Sequence, residues 1–290
     1  MKIQESVFDT LGRSNAHLLA QHTINKHFKT AHWSNSDDHV SYHADRTHTL
    51  SFYLQGGEGA RRIDASQKVG HSGSLCMLPQ HHQSQWEITA PCVFAHFYFS
   101  DESIKQFAST TLDIDPRTIE VPELTFHDDA ILLSLSRQLF LVPTINGHLP
   151  PSQLAQEQTI QLIFKHLLSD KHYYPQKQLK LTGGISPATL RQLKEYIHQH
   201  SHQAVCLTDL AGLANLSHYH LLRMFKASTG YTPNDYLTYI RLEKSKQALS
   251  SQKSLAEIAV EQGFSNQSHF NRIFKKWVGV TPGTYRSMCR

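Results

Sequence analysis

The 290-residue sequence has no apolar run near the ~18 residues that a membrane-spanning helix needs, so no span and no membrane partner are expected. Its first residues, MKIQESVFDTLGRSNAHLL, lack a basic segment followed by a long apolar block and a small-residue cleavage site. No export signal is expected, and the cytoplasm is the expected location. Cysteine is scarce: Cys76, Cys92, Cys206 and Cys289 show neither Cys-x-x-Cys spacing nor disulfide density, and reduced thiols are expected. Cys76 and Cys92 lie in strand-like apolar runs and read as small buried hydrophobes. The Gly-rich stretch QGGEG precedes no helix, so it reads as a hairpin turn rather than a phosphate cradle. There is also no nucleophile–base constellation, so no catalytic residue is assigned and an enzyme is not expected. Histidine is abundant, with 21 in all and 15 of them in residues 1–189. No carboxylate or cysteine stands beside them at ligand spacing, so no metal or other cofactor is expected.

The charge is unevenly placed. Residues 190–290 carry 13 Lys and Arg against 6 Asp and Glu, a net +7, while residues 1–189 carry 15 against 18, a net −3. A basic C-terminal part suits a phosphate-bearing partner, because counterion release from nucleic acid rewards clustered positive charge.

From about Ser41 to Phe99, short aromatic and β-branched runs such as THTLSFYL and APCVFAHFYF alternate with turn residues, which predicts an antiparallel sandwich or barrel. Apolar spacing turns helical between about Asp128 and Phe140, and again between about Ser152 and Leu168. The stretch KHYYPQKQLKLTGGISP, residues 171–187, has little periodicity and reads as a linker. After it, SPATLRQLKEYIHQH opens with a Ser cap and Pro at the first helical position, and the rest reads as helices.

This C-terminal part contains a repeat. At an offset of 48, Leu207, Asp209, Leu210, Ala211, Leu216 and Ser217 meet Leu255, Glu257, Ile258, Ala259, Phe264 and Ser265. One extra residue then enters. At an offset of 49, His220, Arg223, Phe225, Lys226, Gly230, Pro233 and Tyr236 meet His269, Arg272, Phe274, Lys275, Gly279, Pro282 and Tyr285. Each copy describes a short helix with a small residue at the crossing (Ala211, Ala259) and a turn residue that tolerates a left-handed backbone (Asn215, Gly263). A second helix follows, expected to be capped by Ser217 or Ser265. That is a helix-turn-helix, expected at about 207–229 and again at about 255–278. Between the copies, PNDYLTYIRLEKSKQALSS predicts one helix from Pro233 to about Ser250, roughly 26 Å long at ~1.5 Å per residue.

In the second helices the apolar positions Leu221, Met224 and Phe225, and Phe270, Ile273 and Phe274, belong to the core. The open faces then carry His218, Tyr219, Leu222, Arg223 and Lys226 in the first copy. In the second they carry Asn266, Gln267, Ser268, His269, Asn271, Arg272 and Lys275. Arginine reads guanine bidentately, Asn and Gln read adenine, and Leu222 offers a contact to a thymine methyl. Lys226, Lys275 and Lys276 suit phosphates.

At these residues, AGLANLSHYHLLRMFKASTGYTPNDYLTYIRL and EIAVEQGFSNQSHFNRIFKKWVGVTPGTYR, the sequence resembles the AraC/XylS family of bacterial transcription regulators over about residues 186–288. The resemblance implies two helix-turn-helix units set in adjacent major grooves of double-stranded promoter DNA. By position it implies base or backbone contacts at Tyr219, Leu222 and Arg223, and at Gln267, Ser268, Asn271 and Arg272. The N-terminal part is similar to the cupin-type sensor barrel: GSLCMLPQHHQSQWE, from Gly73, follows the second cupin motif but has His81 at its glycine and Ser84 at its metal-ligand histidine.

The expected fold class is therefore α+β and multidomain. Residues 1–170 are expected to form a cupin-like β-barrel with two following helices, an effector-binding or dimerisation domain. Residues 171–187 are the expected linker, and residues 188–288 an all-α DNA-binding domain. Phe52, Tyr53, Arg62, His82, Trp86, His96 and Tyr98 are the candidate lining of a barrel pocket. The expected function is a sequence-specific regulator, responsive to a small-molecule effector, homodimeric, and an activator that meets RNA polymerase. The alternatives are a metal-dependent cupin enzyme with a DNA-binding appendage, and an effector-independent dimeric regulator.

Overall fold

The computed structural model describes residues 6–44, 47–65, 68–140, 152–171, 173–174 and 184–288. The chain gathers into two compact units. The first joins Met1–Phe107 with Glu120–Gln176, and the second joins Ala108–Ile119 with Lys177–Arg290. Residues 108–119, expected within the N-terminal domain, are thus grouped with the helical unit. Most of the expected linker 171–187 lies outside the described residues.

The first unit opens with helix α1 (Val7–Leu11), closed by a capping box between Ser6 and Asp9. Eight strands follow: β1 (His17–Asn25), β2 (Phe28–Asn35), β3 (Asp38–Ala44), β4 (His48–Gln55), β5 (Ala60–Arg62), β6 (Leu75–Leu78), β7 (His82–Ile88) and β8 (Cys92–Phe99). The chain then runs through α2 (Asp101–Thr111) and a single 3₁₀ turn at Pro116–Thr118, of which residues 108–119 are grouped with the second unit, and returns to the first with β9 (Leu124–His127). The strands form two antiparallel sheets, a six-stranded one in the order β1-β2-β8-β4-β6-β9 and a three-stranded one in the order β3-β7-β5.

Among the described residues no ladder joins the two sheets, so the expected closed barrel is corrected to two facing sheets. What holds them is side-chain burial. Trp33, Tyr42, Tyr53, Leu78, Trp86, Ile88, Phe94 and Tyr98 pack into one core from both inner faces. β7 alternates buried and open positions as a strand with one covered face should, whereas β4 and β8 are buried on both faces. The outer cover comes from α4 (Gln153–Ser169), whose Phe164 meets Phe28, Phe97 and Phe99. α4 packs against α3 (Ala130–Leu139). At their junction Asp129 caps α3 through Ile131 N and Leu132 N, accepts from the Tyr173 hydroxyl at 2.5 Å, and lies 2.7 Å from His166 Nε2. Burial works against the carboxylate, yet Tyr173, the Leu132 N–H and His166 together hold its pKa down to about 2.

The second unit contains α5 (Pro187–Gln199), α6 (Leu207–Ala214), α7 (His218–Thr229), α8 (Pro233–Ala248), α9 (Leu255–Glu261), α10 (Gln267–Val278) and α11 (Pro282–Met288). The pairs α6–α7 and α9–α10 repeat one construction. Ala211 and Ala259 are buried. The chain then turns through a left-handed residue, Asn215 at φ 51° or Gly263 at φ 80°. Immediately afterwards Leu216 N donates to Ala211 O at 3.0 Å, and Phe264 N to Ala259 O at 2.9 Å. Behind the first pair lie Leu193, Ile197, Leu210, Leu221, Phe225 and Tyr236, and behind the second a run of rings from Phe264 through Phe270 and Phe274 to Tyr285.

Ser217 caps α7 by accepting from His220 N, but Ser265 does not cap α10. Asn266 does, accepting from His269 N at 2.8 Å, while Ser265 Oγ lies 3.0 Å from His269 Nδ1. The extra residue of the second copy therefore enters before the cap, and the offset of 49 already holds there.

The two left-handed positions differ in tolerance. A Cβ on Gly263 would lie 2.8 Å from Ser201 O and 2.9 Å from the His202 backbone, besides occupying a left-handed φ. Gly263→Ala is expected to lower stability by about 1–3 kcal/mol, and Asn215→Gly to change it by less than about 0.5 kcal/mol. Urea unfolding followed by far-UV circular dichroism checks both.

Candidate nucleic-acid interface

Most described basic residues of the α7–α11 segment fall into two sets. The first set is bonded inward. Arg241 on α8 donates through Nε to Ser201 O and through Nη2 to Gln203 O, both at 2.8 Å. Lys244 donates to His198 O at 3.0 Å and Ser201 Oγ at 2.6 Å. Arg286 on α11 does the same for the end of α8, reaching Leu249 O at 3.1 Å and Lys253 O at 2.8 Å. These cations satisfy carbonyls that helix ends leave without partners. Lys246 and Lys253 pair with Glu243 and Glu261.

The second set points outward. Arg223 and Lys226 on α7, and Arg272, Lys275 and Lys276 on α10, are exposed, and among the described residues their side chains make no hydrogen bond or ion pair. All five sit on the second helices of the two helix-turn-helix pairs, and one more exposed cation of this unit without a partner among the described residues, Arg191, lies on α5. Tyr219 is 73% exposed and Leu222 39%, apolar surface that no neighbour covers. His218, Gln267 and Ser268 are exposed in the first turns of their helices. Three of the expected contact residues are less free, two of them bonded into the fold and one half-buried. Asn266 spends its side-chain oxygen on the cap, half-buried His269 lies against Ser265 and Phe264, and half-buried Asn271 has its Oδ1 enclosed without a partner. Arg241 and Arg286 were not singled out by the sequence, and at the offset of 49 they do not face each other.

The candidate ligand residues of the first unit are scattered. Tyr53, Trp86 and His96 meet at one cavity of about 20 Å³, joined there by Asn35, Tyr42, Ser51, Cys76 and Phe94, which the sequence did not suggest. Phe52, Arg62, His82 and Tyr98 are not among its lining. The cavity has room for about one water, far below the few hundred Å³ of an ordinary small-molecule site.

Arg62, 6% exposed, is occupied by Asp64 (2.9 Å), Glu123 and Thr125 Oγ1 (3.2 Å), and it holds the Asp64 carboxyl down to about 2. His82 is buried with Nδ1 3.3 Å from Glu123, and burial lowers its pKa. Tyr98 serves the core, receiving the Trp33 indole N–H at 3.3 Å and lying 2.9 Å from His96 Nδ1. His96 Nε2 lies 3.0 Å from Ser51 Oγ, and burial pushes the His96 pKa down to about 3. Among the described residues no group of three or more His, Cys, Asp or Glu is placed to hold a metal ion, and no helix is long and apolar enough to cross a membrane.

Two helix pairs, each presenting a capped, outward second helix with unpaired cations, define a helix-turn-helix DNA-binding class of domain. Residues 210–288 match the family described as Helix-turn-helix domain, and this C-terminal region belongs to the AraC type of that fold. Over 99 residues the chain is 34% identical to the MmsAB operon regulatory protein of Pseudomonas aeruginosa, covering 34% of this chain and 32% of that protein. Over 196 residues it is 26% identical to the probable transcriptional regulator LumQ of Photobacterium leiognathi, covering 67% and 69% of the two chains. The chain thus spans about a third of the first relative's length. The C-terminal domain of AraT, a response regulator from Geobacillus stearothermophilus, is 36% identical at a TM-score of 0.34, covering 36% of this chain and 87% of that one.

The enclosed histidine makes the first unit acid-sensitive. Because His96 takes up a proton near pH 3 when folded and near the ordinary 6.5 when unfolded, the unfolded chain binds more protons in between. Stability is then full above about pH 6.5 and falls as the pH drops toward 3, by up to ~1.4 kcal/mol per pH unit for this one group. His27, His32 and His82, also lowered by burial, add to the same slope. Denaturant unfolding at pH 7.5, 6.0 and 5.0 is expected to show a shallower slope for His96→Gln than for the unaltered chain.

Proposed function

We propose that the chain is a sequence-specific DNA-binding transcription regulator in which α7 and α10 each enter a major groove. The observation that carries this reading is the placement of charge: Arg241, Lys244 and Arg286 bond inward to the fold, while five of the second unit's six exposed cations without a partner among the described residues lie on the two second helices, the sixth being Arg191 on α5. Arg223 and Arg272 read bases, most naturally guanine O6 and N7. Lys226, Lys275 and Lys276 bind phosphates and set register. Tyr219 and Leu222 give the first helix an apolar contact to thymine methyls, and Gln267 and Ser268 give the second a polar reading. His218 sits beside them. Asn266 and His269 act from their structural positions, shaping the first turn of α10, and half-buried Asn271 stands farther along the same helix. The 16-residue α8 joins the two pairs, about 24 Å of rigid connector between heads that on other folds are joined by dimerisation.

Residues 1–170 are the regulatory domain in this reading, cupin-like in ancestry, and they pair two copies through α3 and α4 in the cytoplasm. Ile131 on α3 and Leu162 on α4 support it, exposed at 55% and 49%. A small-molecule effector acts on this domain, and activation proceeds through contact with RNA polymerase at the bound promoter. The regulator names of the relatives support this part, with MmsAB operon regulatory protein and LumQ among them. A second reading, a dimeric regulator with no effector in the sandwich, is favoured by the small cavity of about 20 Å³ between the sheets.

Sites selected from a random duplex pool provide the test. Arg223→Ala and Arg272→Ala are each expected to weaken the selected site by about 1–3 kcal/mol and to relax preference at different base positions. Lys275→Ala is expected to weaken all sequences alike and to reduce the salt slope by about one. Unchanged affinity and unchanged salt slope for all three variants would remove the groove assignment.

A further inference from the structure

The segment 108–119 belongs to the helical unit although the chain on both sides of it belongs to the β unit. Its bonds within that unit are specific. Ser109, 3% exposed, donates through Oγ to Thr229 O, the last residue of α7, at 2.7 Å. Lys194 on α5 donates to Ser109 O at 3.1 Å and to Asp113 Oδ1 at 2.9 Å. Thr110 hydrogen-bonds Tyr239 on α8. Arg117, held by Asp115 at 2.9 Å, fills the space that a Cβ on Gly184 would take. Next to Gly184, Ile185 N donates to Ser228 Oγ of α7 at 2.9 Å, and Gly184 N to Met224 Sδ at 3.0 Å. These partners lie on α5, α7 and α8 or just before α5, around the first helix pair. The repeat is broken at the same place: Ser228 and Thr229, both buried, correspond at the offset of 49 to Trp277 and Val278. The second head keeps the fold and lacks the polar pair.

We propose that residues 108–119 are a positioning strap for the first reading helix. Ser109 and Asp113 tie the C-terminal end of α7 to α5, which fixes the direction in which Arg223 and Tyr219 are presented. Because the strap is continuous at both ends with the β unit, a change of state there reaches the first head and not equally the second. Regulation then adjusts one half of the recognised site. This inference rests on the reading of α7 and α10 as the DNA-contacting helices, and its first test is independent of that reading.

In the full chain, Ser109→Ala with Asp113→Ala is compared with the unaltered protein by hydrogen exchange. Amides of residues 225–231 are expected to exchange about tenfold faster, with those of 274–279 unchanged. No change in either stretch, or an equal rise in both, overturns the strap. If the double variant loses its far-UV signal, Asp113→Ala alone, which removes an exposed partner, is expected to give about a threefold rise confined to the first stretch, and equality there overturns the strap as well. Binding gives the second test. The half-site lost by Arg223→Ala marks the first head, and the strap variant is expected to bind the intact selected site about fivefold more weakly, with no further loss once that half is scrambled. The same loss on both duplexes overturns the strap and leaves the DNA reading standing. Failure to select any site overturns the DNA reading while exchange still decides the strap.

Discussion

The second unit depends on a left-handed residue between two helices. Asn215 and Gly263 reverse the backbone in one step, and the bond that follows, from Leu216 N or Phe264 N to an alanine carbonyl five residues earlier, closes the turn. With the turn closed, the angle between the helices is set, and an alanine at the crossing lets them approach. Everything presented on α7 and α10 inherits its direction from that geometry. Phe264 shows how closely turn and core are joined, since the residue that completes the turn also begins the ring stack running to Tyr285.

Charge then separates function from scaffold. Arg241 and Arg286 do matching work from unmatched positions of the repeat, each donating two hydrogen bonds to carbonyls near a helix end, and thereby spend their donors on the fold. Arg223 and Arg272 have the same side chain and no such use. A guanidinium brings five donors wherever it sits, so its role follows from whether protein acceptors are within reach. A histidine of the first unit follows the same logic: His96 meets Tyr98 and Ser51 and is kept neutral by burial, a core residue with polar neighbours.

Much of the helical unit was legible because a repeat is read from sequence alone. Two aligned copies separate the residues that build the turn from those that differ, and helical periodicity places the core. The expected capping role of Ser265 failed by one residue, because an insertion has no marked position until the hydrogen bonds show where the register changes. The β unit was less legible. THTLSFYL and APCVFAHFYF announce strands, but strand sequences carry no statement of which edges pair, and the two sheets proved to meet through side chains instead of closing. The pocket residues were the weakest reading: alternation puts Tyr53, Trp86 and His96 inward, while Arg62 is claimed by Asp64 and Glu123, partners on other segments.

By itself the sequence determined the doubled helix pairs, their turns, the basic surplus near them and the outward positions of Tyr219, Arg223 and Arg272. These follow from local rules, since periodicity, capping and φ preference act over a few residues. Only the tertiary structure decided which cations are spent inside, that the described strands form two facing sheets with a cavity of about 20 Å³ between them, and that residues 108–119 fold with the helices. Those outcomes rest on contacts between residues tens to more than a hundred positions apart, such as Ser109 with Thr229, and no local pattern encodes which distant acceptor a donor will find.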